Sequence, residues 1–185
     1  MKKSRNDEYK LLEIAPRVAG TMGLSRNAGI NYPLLTVFNA MRIPTSIIEN
    51  HYEIEVDRAF ISRYRTNLKY NTVYLDLDDT LIVNGKVNSF LMMFLYQLVN
   101  QKKKIILISK HQKDIMETLK KYRISLELFD EIVHLERDNE KLKYLIEKNA
   151  IFIDDSFSER NSISQSRGIP VFDCSEIEAL IDWRV

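Results

Sequence analysis

Residues Val73-Tyr74-Leu75-Asp76-Leu77-Asp78-Asp79-Thr80-Leu81 constrain this chain more than any other stretch. A short apolar, β-prone run ends in carboxylates at positions 76, 78 and 79, followed at once by a hydroxyl. Side chains alternate across a strand, so Asp76 and Asp78 are expected on one side where the chain leaves the sheet. Like charges held that close are costly unless a cation neutralises them. An all-oxygen ligand set suits a hard ion such as Mg²⁺. An acidic turn after a strand would explain this segment alone, but the pattern recurs. Ala150-Ile151-Phe152-Ile153-Asp154-Asp155-Ser156 is again an apolar strand ending in paired acids. Between them Lys104-Ile105-Ile106-Leu107-Ile108-Ser109-Lys110 ends in a hydroxyl and an ammonium. Ligands of open parallel sheets bind beyond the carboxyl ends of the strands, so these three endings are expected to converge on one crevice.

Together these motifs resemble the haloacid dehalogenase (HAD) superfamily of aspartate-nucleophile phosphotransferases, over about Thr72 to Val185. Its Asp-x-Asp-x-Thr motif is matched by Asp76, Asp78 and Thr80, its strand-ending Ser or Thr by Ser109, and its acidic pair by Asp154 and Asp155, with Glu159 a further acid. Its phosphate-binding lysine is matched by Lys141, with Lys143 and Lys110 as rivals. The resemblance implies that Asp76 is the nucleophile and that Asp78 protonates the leaving oxygen, then activates water. It implies Mg²⁺ held by Asp76, the Asp78 carbonyl and the Asp154/Asp155 pair, with Ser109 and Lys141 on the phosphoryl oxygens. Thr80 is expected to fix the loop rather than touch substrate.

Some 28 residues separate Thr80 from Ser109 and 31 separate Ser109 from Lys141. Core helices and strands use nearly all of them, so no cap insertion is expected. An uncapped site is open to a large phosphorylated substrate, or to a small one covered by another domain or subunit.

The alternation of strands (near 72–77, 104–109, 131–135, 150–154 and 170–172) with helices (near 87–101, 111–123, 138–148, 157–167 and 175–183) predicts right-handed crossovers and a parallel sheet. The expected fold class for 71–185 is therefore α/β, a HAD-like (Rossmann-like) three-layer arrangement. Methionines in the nearly all-apolar 87–101 stretch are expected in the core.

Residues 1–70 read differently, as a small α+β segment. Leu11–Ile14 is expected as a strand, 33–41 as a helix with Pro33 in its first turn, and 52–56 and 59–65 as an antiparallel pair. Leu12-Glu13-Ile14-Ala15-Pro16-Arg17, followed by Gly29-Ile30-Asn31-Tyr32-Pro33, resembles the C-terminal end of an ATP-grasp domain, as in carbamoyl phosphate synthase large subunits. That family's Glu-x-Asn-Pro-Arg places Glu and Asn on Mg²⁺; here Ala15 replaces the Asn, and a methyl cannot ligate a metal. The resemblance implies that most of the ATP pocket would lie before residue 1, leaving 1–70 a remnant or one piece of a split protein. Such a piece buries little core alone and is expected to pack on the second domain, on another copy or on an ATP-grasp partner.

Net charge is +1, with 11 Lys/Arg against 7 Asp/Glu in 1–70 and 16 against 19 in 71–185. That balance makes no case for nucleic acid or a membrane surface. The single cysteine, Cys174, excludes an internal disulfide and fits a cytoplasmic protein.

Overall fold

The computed structural model describes residues 2, 3, 6, 8–11, 14, 16–58 and 61–184. The chain begins with the antiparallel pair β1 (Lys2–Lys3) and β2 (Tyr9–Lys10), then helices α1 (Gly23–Asn27) and α2 (Tyr32–Ala40) and the hairpin β3 (Ile54–Arg58) and β4 (Ser62–Thr66). There follow β5 (Thr72–Leu75), the small hairpin β6 (Ile82–Val83) and β7 (Lys86–Val87), α3 (Ser89–Asn100), β8 (Lys104–Ser109), α4 (Ile115–Lys121) and β9 (Glu131–His134). The last elements are β10 (Ala150–Ile153), α5 (Phe157–Arg167) and β11 (Val171–Phe172).

Five strands form one parallel sheet in the order β11-β10-β5-β8-β9. From β5 the chain winds outward through β8 to β9, then crosses back to β10 and winds the other way to β11. The topological switch therefore falls between β5 and β10, where open α/β sheets bind their ligands.

Apolar alternation builds three layers. Val73, Leu75, Leu107, Ile151 and Ile153 meet α3 through Leu91, Phe94, Leu95 and Leu98 on one face. Tyr74, Ile106, Ile108 and Phe152 meet Ile163 of α5 on the other. The α/β character and the parallel sheet agree with the sequence expectation, and α5 occupies the expected 157–167 span, ended by Gly168 in a left-handed conformation (φ 64°). Of the α3 methionines, Met92 packs on the core, whereas Met93 is 37% exposed.

Two expected helices do not form. Residues 138–148 hold only a 3-10 turn, Lys141–Tyr144. The backbone N–H groups of Ile146 and Glu147 both donate to the Tyr74 hydroxyl at 3.2 Å, and Arg167 takes the Leu142 carbonyl at 2.9 Å. Groups that an α-helix would pair internally are thus committed to tertiary partners. The 175–183 stretch likewise becomes a 3-10 turn, Cys174–Ala179, opened by an Asp173/Glu176 capping box. It is stopped where the Gln97 amide grips the backbone of Asp182 at 2.9 and 3.0 Å. The strand expected at Leu11–Ile14 falls partly on Leu12 and Glu13, which with Ala15 lie outside the described residues; Leu11 and Ile14 are irregular.

Residues 23–70 pack along the β11 edge of the sheet. Buried Asn50 imitates a strand there: its amide donates to the Val171 carbonyl at 2.7 Å and accepts from the Val171 N–H at 3.1 Å. Ile48 joins the core on the α5 side, and Tyr52 lies 6.2 Å from the Phe172 ring. Gly29 permits the approach, since its φ is 94° and a Cβ would stand 2.0 Å from the Ile48 carbonyl oxygen. Replacing Asn50 by Leu would strand two buried backbone groups, and we expect a loss of about 2–4 kcal/mol in urea unfolding. A loss within error of zero would show that this edge contact does not hold the segment to the sheet.

Candidate active site

The carboxyl ends of β5, β8 and β10 deliver Asp76, Ser109 and Asp154 to the switch point. All three are buried, at 6%, 1% and 0% exposure. The 3-10 turn after β9 brings in Lys141, itself only 4% exposed. Its Nζ lies 2.7 Å from Asp76 Oδ1 and donates to Asp154 Oδ2 at 2.6 Å. The rival lysines stand elsewhere: Lys110 pairs with Glu159 at 2.7 Å, and Lys143 is exposed near Glu140.

The acidic loops are tied together. The Thr80 hydroxyl, fully buried, accepts from the Asp155 N–H at 3.0 Å and so joins the first loop to the last. Asp154 Oδ1 accepts from the Ser156 N–H at 2.8 Å, at the positive end of α5. Arg160 donates to the carbonyls of Asp154 and Asp155 at 2.6 and 2.7 Å.

Charge is expensive in this crevice. Burial raises the Asp76 pKa against the opposing pull of Lys141 and of hydrogen bonds from Ser109 and the Leu77 N–H. Burial also pushes Asp154 up to about 6, with Lys141 pulling the other way. For Lys141 burial works against the charge, but Asp76 and Asp154 outweigh it and raise its pKa.

The residues fit a divalent cation. One carboxylate oxygen each from Asp76, Asp154 and Asp155 lies within 4.8 Å of the others. Three carboxylates against one ammonium leave two formal negative charges. Asp76 Oδ1, although near Lys141, is a buried oxygen with no properly directed hydrogen bond among the described residues. Hard oxygen donors of this kind suit Mg²⁺.

Asp78 departs from expectation. Its carboxylate is not gathered with the other acids but points to His111, whose Nδ1 lies 2.9 and 2.8 Å from its two oxygens. The physical reason is that β5 ends at Leu75, so two-residue alternation stops short of Asp78, and Asp79 then turns the chain at φ 52°. An ionised carboxylate only accepts, so with Asp78 ionised His111 Nδ1 is the donor; Nε2 lies 2.8 Å from the Thr118 hydroxyl. His134 Nε2 donates to the His111 carbonyl at 2.7 Å. Sequence reasoning missed His111, although its position two residues beyond Ser109 puts it at the same sheet edge.

No helix among the described residues is long and apolar enough to cross a membrane. No curated relative matches the chain. One solved structure, an uncharacterized protein from Corynebacterium glutamicum, matches 56% of this chain and 83% of its own at 10% identity, with a TM-score of 0.43, too remote a likeness to carry an argument. Residues 1–60 match the family described as "ATP-grasp in the biosynthetic pathway with Ter operon".

Proposed function

We propose that the α/β part of this chain is an uncapped, HAD-type, Mg²⁺-dependent phosphotransferase attached to an ATP-grasp remnant. The observation that carries this reading is the convergence of Asp76, Asp154, Asp155 and Lys141 at the switch point of the sheet. Asp76 attacks the phosphoryl group and forms an aspartyl-phosphate as the ester oxygen departs. Asp78 enters the step protonated, gives that proton to the departing oxygen, and as the resulting carboxylate takes one from the water that cleaves the acyl phosphate. Lys141 and Ser109 stabilise the negative phosphoryl oxygens. Mg²⁺ held by Asp76, Asp154, Asp155 and the Asp78 carbonyl would supply electrostatic shielding between nucleophile and phosphate. The test is hydrolysis of a generic aryl phosphate in Mg²⁺ and in EDTA. Turnover indifferent to EDTA would overturn the metal assignment, and its complete absence the reaction.

His111 extends the mechanism. It holds both oxygens of Asp78, so His111→Ala should leave the acid in place but unoriented. We expect kcat to fall about ten- to hundredfold, less than the full contribution of a general acid, with KM changed far less. An equal fall in Asp78→Asn and in the double variant would confirm that the two act as one unit; additive losses would separate them.

A second reading is favoured by the ATP-grasp match over residues 1–60. In it the chain is a non-catalytic or regulatory part of an ATP-grasp ligase, of the carbamoyl phosphate synthase-like kind. Co-purification with such a ligase, with no turnover over a broad phosphoester panel, would establish it. Self-association through residues 1–70 is its alternative outcome.

A further inference from the structure

Arg160 lies near the start of α5, where a cation opposes the positive end of the helix dipole. Its local position gives no reason for it; its contacts do. Side chains of a helix lean back toward the N-terminus, and this one reaches over the Asp154–Asp155 turn. Its Nη1 group donates to the Asp154 carbonyl at 2.6 Å and to the Asp155 carbonyl at 2.7 Å, and lies 3.1 Å from Asp173 Oδ2. The side chain is only 12% exposed.

Asp155 is thereby held at both ends of its backbone. Its N–H donates to the Thr80 hydroxyl at 3.0 Å, and its carbonyl accepts from Arg160. The residue itself is exposed, and among the described residues its carboxylate has one long contact, 3.5 Å, to the same hydroxyl. The backbone is pinned while the carboxylate stays open, with ligand atoms of Asp76 and Asp154 within 4.8 Å. Arg160 meets backbone carbonyls and Asp173, whereas Lys141 is the cation that meets the carboxylates of Asp76 and Asp154.

We infer that Arg160 is a positioning residue of the cation site. It holds the Asp154–Asp155 turn from the α5 side and keeps the Asp155 carboxylate beside Asp76 and Asp154. The inference rests on the Mg²⁺ part of the phosphotransfer reading above. The sign of the effect sets this role apart from a simple charge effect. Removing a positive charge near a bound cation tightens cation binding by Coulomb repulsion relieved. Removing a group that orients a ligand weakens it, by roughly 10- to 100-fold for outer partners of metal ligands.

The experiment titrates MgCl₂ into the full chain by calorimetry. Arg160→Met keeps an unbranched stem and loses the donors and the charge; the Kd for Mg²⁺ should rise about tenfold. Hydrolysis of an aryl phosphate by the variant should climb back toward the wild-type kcat as Mg²⁺ is raised. A purely structural role would lower the metal-free melting temperature and leave the Kd where it was. A Kd unchanged or lowered in folded Arg160→Met would overturn the inference and leave the phosphotransfer reading standing. If Arg160→Met fails to fold by circular dichroism, Arg160→Lys decides by the same criterion, since it keeps the charge but loses the planar fork. Arg160-dependent Mg²⁺ binding in a chain that hydrolyses no phosphoester would keep the positioning role and reject the reaction. No Mg²⁺ binding by the wild-type chain would reject both.

Discussion

Asp76→Asn should abolish Mg²⁺-dependent aryl phosphate hydrolysis, with a fall of at least about 10³-fold, because the covalent route loses its nucleophile outright. The substitution is close to isosteric, so the 6% exposed site keeps its shape. It removes the anion that faces Lys141 at 2.7 Å, and Lys141 retains Asp154 at 2.6 Å. Folding should therefore survive, and a thermal melt separates lost chemistry from lost structure. Rapid-quench trapping of phosphate on the wild-type protein, absent in the variant, checks the intermediate directly. Robust turnover in folded Asp76→Asn would rule out the nucleophile assignment.

Mg²⁺ should raise the melting temperature, and the rise should grow with pH. A ligand at a hundredfold excess over its Kd contributes about 2.7 kcal/mol, or roughly 5–10 °C in a chain of this size. Asp154 sets the pH dependence. Its carboxyl is raised from 3.8 to about 6 by burial. A raised acid lends stability that is fully present below its unfolded value and is lost as pH rises through the folded one. The metal-free protein should therefore lose stability from about pH 4 through about pH 6, while a cation bound to the ionised acids restores it. The Mg²⁺ increment should be small near pH 5 and full near pH 7.5. Asp154→Ala together with Asp155→Ala should largely remove it. Glu13→Ala should leave it, since Ala15 offers that motif no second ligand. The reverse outcome, a response lost with Glu13 and kept in the double variant, would assign the metal to the ATP-grasp segment.

Where local chemistry and pattern agree, the sequence was sufficient. Apolar runs ending in Asp76, Ser109 and Asp154, alternating with helical stretches, read as strands of a parallel sheet, and parallel strands put their endings on one edge. Capping residues such as Asn88 and Ser156, and the αL-competent Gly168, act on their own helix ends, so those boundaries could be read along the chain. What the chain alone left open depended on partners distant in sequence. Three lysines were candidates for the phosphate, and spacing could not choose among them. Lys141 is the one that reaches Asp76 and Asp154, where the Tyr74 hydroxyl takes the N–H groups of Ile146 and Glu147 and the expected helix gives way to a 3-10 turn. Asp78 obeys the strand alternation only on paper: the sheet ends three residues earlier, and His111 on another loop takes its carboxylate. The first 60 residues are similar to an ATP-grasp family, yet the seat of the N-terminal segment on the β11 edge rests on Asn50 and Val171, 121 positions apart. Local propensity is a few tenths of a kcal/mol per residue, whereas a buried polar group without a partner costs about 1–3 kcal/mol, so tertiary pairing decides wherever the two conflict.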